Sequence, residues 1–172
     1  EGLYSRGEAG IAMTQADAIA ILKTGQNVFL TGEPGAGKSH TVNTFVAWLR
    51  SHGISVAVTA STGIASTHIG GMTIHSWSGI GIAKFLSKND LQEIATRDKV
   101  VRRVKYTRVL IIDEISMLDG RTLTMVDAVC KTVRKNPAPF GGLQVVLVGD
   151  FFQLPPVTQG ERATFAFDAN AW

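Results

Sequence analysis

The sequence predicts an α/β fold, an open and doubly wound parallel sheet flanked by helices, and three observations carry that prediction. Short apolar runs recur at Val28-Phe29-Leu30, Ile54 to Ala60, Val109 to Ile112 and Val145 to Val148. Each is too short for a buried helix and too continuous for a half-exposed strand, which is the pattern of parallel strands covered on both faces. Segments with helical spacing separate the runs, and that alternation implies right-handed crossovers within one sheet. The third observation is that unusual polar residues follow the runs directly: Thr31-Gly32, Ser61-Thr62-Gly63, Asp113-Glu114 and Gly149-Asp150. Open α/β sheets bind ligands outside the carboxyl ends of their strands, so these segments are expected to converge on one site.

In chain order, residues 1–12 carry three glycines and no apolar period. They read as a flexible lead-in or an expression remnant, with Met13 as a natural start and a single domain over 13–172. Thr14 and Asp17 have the spacing of a capping box, Ile19 and Leu22 continue a short helix, and Gly25 ends it. Val42, Phe45, Val46 and Leu49 mark one buried helix face before Gly53, and Leu123, Val126, Val129 and Val133 mark another before Pro137. Between them, one helix is expected over Asp90 to Lys105, apolar at Leu91, Ile94, Val101 and Val104.

At 172 residues and 45% hydrophobic content, the chain can bury one substantial core. No apolar stretch approaches the roughly 18 residues of a spanning helix, and no secretory signal opens the chain. A soluble, intracellular protein without membrane association is expected: cytoplasmic or nucleoid-associated if bacterial, nuclear or mitochondrial if eukaryotic. Cys130 is the single cysteine, which excludes an internal disulfide and a cysteine metal cage; it reads as a small apolar residue on a helix. The net charge of +3 permits a nucleic-acid partner without demanding one. Six of the 17 basic residues (Arg97, Lys99, Arg102, Arg103, Lys105 and Arg108) lie close together with only Asp98 opposing them, and a solvated helix face accounts for that run.

Gly32-Glu33-Pro34-Gly35-Ala36-Gly37-Lys38-Ser39 fits the P-loop pattern between a predicted strand and a predicted helix. Its glycines let backbone N–H groups turn toward phosphate oxygens, and the helix N-terminus adds partial positive charge. Lys38 is expected to reach the β and γ phosphates and Ser39 to ligate Mg²⁺. The nucleotide-binding set is therefore Gly32, Pro34, Gly35, Ala36, Gly37, Lys38, Ser39 and His40. Gln15, on the preceding helix, is a candidate for an adenine edge. Asp113-Glu114 ends the most apolar strand, where adjacent carboxylates are costly unless a cation or substrate uses them. Such a pair also serves as a helix cap elsewhere, but beside a P-loop the expected roles are a water-mediated Mg²⁺ contact for Asp113 and activation of water for Glu114. Gln153, in a proline-bearing loop after the fourth strand, is the candidate γ-phosphate sensor. The hydroxyl-rich stretches Thr59 to Ser66 and Gly70 to Gly79 suit phosphate and sugar contacts, with Ser61, Thr62, Thr73, His75 and Ser76 as candidates for nucleic acid. Trp77 is expected in the core, and His75 either stacks on a base or packs internally.

These motifs, with Ile111-Ile112-Asp113-Glu114-Ile115-Ser116-Met117-Leu118 and Gly149-Asp150-Phe151-Phe152-Gln153-Leu154-Pro155-Pro156-Val157, resemble the ATPase motifs of the Pif (petite integration frequency) family of 5′-to-3′ DNA helicases. Thr73 to Ser76 and the closing Phe165 to Trp172 extend the resemblance from about Thr14 to the chain end. It implies a RecA-like ATPase core, ATP with Mg²⁺, single-stranded or forked DNA as partner, a monomer, and roles in DNA repair, recombination and telomere maintenance. It also implies that the third-motif strand inserts between the strands of the other two motifs, with Gln153 beside both. The family's second RecA-like domain, with its arginine finger, has no counterpart before Trp172. Such a finger is worth about 10³ to 10⁵ in rate in related NTPases, so the isolated chain is expected to bind ATP and hydrolyse it poorly. A nucleotide- or DNA-holding module and an ATPase switch acting on proteins are the competing classes, separated from a motor by DNA-stimulated, salt-sensitive behaviour.

Overall fold

The computed structural model describes residues 13–68 and 70–150. Among them, five parallel strands form one sheet: β1 (Val28–Thr31), β2 (Val56–Ala60), β3 (Met72–Thr73), β4 (Val109–Asp113) and β5 (Gln144–Gly149), in the order β1-β5-β4-β2-β3. The strand of the third motif does lie between those of the first two, as the resemblance implied. The register sets Thr31 beside Gly149 and Ala60 beside both Asp113 and Thr73. The carboxyl ends of all five strands therefore open on one rim.

The continuous apolar runs have the expected cause. Alternate residues of each strand enter different cores: Leu110, Ile112, Val145 and Leu147 face one layer, and Val109, Ile111, Val146 and Val148 face the other. With both faces covered, successive positions of β4 and β5, Val109 to Ile112 and Val145 to Val148, are apolar, and the buried Thr59 of β2 satisfies its hydroxyl on the Ile111 carbonyl. Helices α1 (Gln15–Leu22) and α2 (Lys38–Ser51) build the second layer through Ala18, Leu22, Val42, Phe45, Val46 and Leu49. The first layer takes α4 (Ile74–Ser78), α5 (Lys88–Ile94), α6 (Asp98–Tyr106) and α7 (Gly120–Arg134). The short α3 (Gly63–His68) follows β2. The Thr14–Asp17 capping box is present, with both reciprocal bonds at 3.2 Å.

Two expectations are corrected. The helix placed over Asp90 to Lys105 is two helices, because Arg97 leaves helical geometry at φ −78°, ψ 106°. Thr96 folds its hydroxyl onto the Glu93 carbonyl, and the Arg97 guanidinium bonds Glu93 and the Gly79 carbonyl. The break shifts the helical phase, so Val100 and Val104 are buried while Val101 is only half-buried. The run from Ile54 joins the sheet only at Val56: the Ile54 N–H closes the turn after α2 on the Leu49 carbonyl. The hydroxyl-rich stretches contain the start of α3, all of β3 and α4. No helix among the described residues is long and apolar enough to cross a membrane.

Candidate active site

The loop from Gly32 to Gly37 joins β1 to α2, and its two left-handed glycines, Gly35 (φ 83°) and Gly37 (φ 86°), give the turn its shape. At Gly37 it is the positive φ that calls for glycine; a Cβ there would also meet the amide end of the exposed, flexible Gln15 side chain. That places the Gln15 side chain against the loop. Thr14, Thr73, Ser87 and Asp119 cap α1, α4, α5 and α7 through their side chains; among the described residues α6 has no side-chain cap, and neither has α2. Its first N–H groups, those of Lys38, Ser39 and His40, precede the first intrahelical bond, Thr41 N–H to the Gly37 carbonyl at 3.0 Å. That arrangement suits an anion.

Lys38 folds back across the loop. Its ammonium donates to the carbonyls of Gly32 (2.8 Å) and Glu33 (3.0 Å) and forms an ion pair with Asp150 at the end of β5. Asp113 ends β4, where its Oδ1 accepts the Glu114 N–H at 2.8 Å. Glu114 is left-handed (φ 54°, ψ 43°), a conformation that non-glycine residues rarely adopt. Ser61 holds this turn from β2, its N–H donating to the Asp113 carbonyl (3.1 Å) and its hydroxyl to the Glu114 carbonyl (2.7 Å). From β5, Gly149 allows Ile115 to approach: a Cβ there would stand 2.8 Å from the Ile115 side chain. Ser39, Asn43, Asp113 and Glu114 line a cavity of about 420 Å³ along α2.

The electrostatics follow from this crowding. Burial pushes the Asp113 carboxyl above its ordinary range; the Glu114 N–H and Lys38 oppose the shift and Asp150 adds to it. Burial also raises Glu114, with Asp113 and Asp150 adding to the rise and Lys38 opposing it. Three carboxylates thus share one ammonium, an excess of negative charge that a hard cation relieves. Among the described residues no group of three metal-ligating side chains exists. A cation held by Ser39 and Asp113 would complete its shell with water and phosphate oxygens, as Mg²⁺ characteristically does.

The candidate nucleic-acid residues lie at the far edge of the same rim. Adjacent strands are about 4.8 Å apart, so β1 and β3 are separated by roughly 19 Å. Thr62 accepts the Ala65 N–H, Thr73 caps α4 and bonds the exposed Ser76, and His75 is half-buried. Burial holds His75 below its ordinary pKa, with Asp119 opposing. Trp77 is 2% exposed and belongs to the core, so it offers no stacking face. Ser61 is 6% exposed, and its hydroxyl donates to the Glu114 carbonyl. In the basic run, Arg103 is not simply solvated, because it donates to the carbonyls of Ser76 and Trp77 and pins α4 to α6. Gln153, Phe151 and the closing Phe165 to Trp172 lie outside the described residues. Sequence reasoning gave Asp150 no role of its own, although it follows β5 as Asp113 ends β4 and carries the same signal.

Comparison with known proteins gives concordant results. A family profile described as PIF1-like helicase matches residues 10–171. The chain is 55% identical over 163 residues to "ATP-dependent DNA helicase Pif1" of Psychrobacter sp., covering 93% of this chain and 25% of that protein. It is 45% identical to "ATP-dependent DNA helicase RRM3" of Saccharomyces cerevisiae, covering 88% and 22%. The crystal structure of Pif1 helicase from Candida albicans superposes with a TM-score of 0.86 at 42% identity, over 95% of this chain and 38% of that one. That of Pif1 helicase from Bacteroides in complex with ADP-AlF3 and ssDNA superposes at 0.80 and 32% identity, over 95% and 39%. The chain thus spans about a quarter of the length of the curated relatives it matches.

Proposed function

This chain belongs to the PIF1-like helicase family, and from that membership and the site geometry we propose that it is the ATP-binding motor domain of a 5′-to-3′ DNA helicase. The observation that carries the reading is the meeting, on one rim, of Lys38, the Asp113–Glu114 turn and a hydroxyl-bearing edge at β2 and β3. In this reading the N–H groups of residues 35–40 take the nucleotide phosphates, and Lys38 exchanges Asp150 and the loop carbonyls for β- and γ-phosphate oxygens. Ser39 and Asp113 hold Mg²⁺, which neutralises phosphate charge when bound. Glu114 orients a water and accepts its proton, with Gln153 sensing the γ phosphate. Gln15 meets the adenine. Thr62, Thr73, His75 and Ser76 contact single-stranded or forked DNA, and a second RecA-like domain closes over the nucleotide in the complete, monomeric and intracellular protein.

The test is ATP turnover by this chain and by a polypeptide extended past Trp172, each with and without single-stranded DNA, alongside Glu114→Gln. DNA-stimulated turnover by the extended chain alone, abolished by Glu114→Gln, supports the reading. Turnover indifferent to DNA in both sinks it in favour of a protein-directed ATPase switch.

A further inference from the structure

We propose that Ser61 is a positioning residue for hydrolysis, which holds Glu114 in its left-handed backbone conformation and ties that conformation to the segment running on from β2 toward the DNA edge. The inference rests on the motor reading above and adds a route by which the DNA edge acts on the nucleotide site.

Ser61 is the first residue after β2 and is 6% exposed. Both of its hydrogen-bonding donors go to the catalytic turn, the N–H to the Asp113 carbonyl at 3.1 Å and the hydroxyl to the Glu114 carbonyl at 2.7 Å. The start of α3 makes no claim on that hydroxyl, because Thr62 Oγ1 takes the Ala65 N–H. Left-handed backbone at a non-glycine residue persists only where its surroundings over-determine it. Four contacts surround Glu114: its own N–H on Asp113 Oδ1, the Met117 N–H on its carbonyl at 3.0 Å, the close approach of Gly149 to Ile115, and Ser61. The first three belong to β4, the turn that follows it and β5, at the centre of the sheet. Ser61 alone of the four continues directly into residues 62–67, which run through α3 toward β3. A displacement of that segment therefore reaches the Glu114 carbonyl through one side chain, and rotation of that peptide re-aims the carboxylate that must face the attacking water. Misplacement of a catalytic group by about 1 Å costs on the order of 10²-fold in rate.

The experiment compares Ser61→Ala and Ser61→Thr in the complete natural polypeptide. It reads kcat and KM for ATP with and without saturating single-stranded DNA, DNA affinity without nucleotide, ADP affinity and melting temperature. Ser61→Ala is expected to lower DNA-saturated kcat by roughly 10- to 100-fold, and DNA-free kcat by less, with both affinities and the melting temperature unchanged. Ser61→Thr, which keeps the donor, is expected to recover most of the loss. Weakened DNA binding with normal DNA-saturated kcat would make Ser61 a DNA contact and overturn the proposal. So would an unchanged kcat, an equal fall with and without DNA, or a fall that tracks lost ADP affinity and melting temperature. If DNA fails to stimulate the unsubstituted protein, the motor reading fails with the link to DNA, and the hold on Glu114 is then decided by DNA-free kcat in the two variants.

Discussion

Asp150 and Lys38 meet across the mouth of the nucleotide loop although they are far apart in the sequence. A carboxylate there competes with phosphate for the ammonium and repels it. Asp150→Asn is therefore expected to tighten ADP binding measured without divalent cation by roughly fivefold, about 1 kcal/mol; unchanged or weaker binding in titration calorimetry would show that the pair serves the loop instead. Cys130 tests the opposite extreme, a group with no site chemistry. Burial pushes its thiol up to about 12, with Asp127 adding and Arg134 opposing. The neutral form is then fully favoured below the ordinary value of 9.0, and that contribution to stability is lost as pH rises toward 12. At about pH 8 the native chain should resist iodoacetamide and alkylate only as fast as it unfolds; rapid native-state labelling would contradict the burial. At this scale the sequence was informative where chemistry sits in one motif, as at Lys38, Ser39, Asp113 and Glu114. It was silent on partners made by folding: neither the Asp150–Lys38 pair nor the Ser61–Glu114 bond follows from spacing along the chain.

The helices show where pattern reading holds and where it fails. Faces such as Val42-Phe45-Val46-Leu49 and Leu123-Val126-Val129 were legible because each repeats over several turns and buries one stripe. The α5–α6 break was not, since Leu91, Ile94, Val101 and Val104 also fit a continuous helix; the break depends on Arg97 finding the Gly79 carbonyl in another element. β3 is two residues long and α4 five, too short for any period. Arg134 is a second such long-range device. Its Nε donates to the Gly141 carbonyl at 2.8 Å and its Nη1 to the carbonyls of Val104, Lys105 and Thr107 at 3.0 to 3.1 Å, joining α7, the end of α6 and the turn before β5. Arg134→Ala should cost about 3 kcal/mol, because several half-buried carbonyls lose a charged donor, and Arg134→Lys should restore less than half, lacking the fork; urea midpoints at constant slope check both. The capping boxes add an acid limit. Hydrogen bonds from Thr14 and Ser87 hold Asp17 and Asp90 below their ordinary 3.8. An unfolded chain takes up those protons first, so the contribution is whole above 3.8 and is lost as pH falls through the folded values. Asp17→Asn and Asp90→Asn should flatten the acid side of a stability-against-pH curve and leave its neutral plateau sensitive only to the weakened caps.

Across the whole molecule, the order β1-β5-β4-β2-β3 puts the phosphate loop at one edge, the carboxylates at the centre and the hydroxyl edge at the other side. The convergence of these segments was legible because parallel strands share one carboxyl rim, and the inserted third-motif strand followed from the family resemblance. The sequence could not place the two-residue edge strand that completes the rim. This layout predicts how a ligand spreads its stabilisation. In the proposed reading, ADP with Mg²⁺ would engage residues attached to β1, β5 and β4, each of which pairs along four or five residues, whereas β3 meets β2 at only two positions. At a hundredfold excess over its dissociation constant the nucleotide should add about 2.7 kcal/mol, or roughly 5 to 10 °C in melting temperature for a domain of this size. Lys38→Ala should remove most of that shift without lowering the unliganded melting temperature, because the ammonium's own partners are the carbonyls and carboxylate it must release. In hydrogen exchange the added protection should appear at residues 35–41 and 113–117 and leave residues 72–78 as they were. Protection that rose equally at residues 72–78 would mean that the two edges are coupled by the nucleotide alone, before any DNA is present.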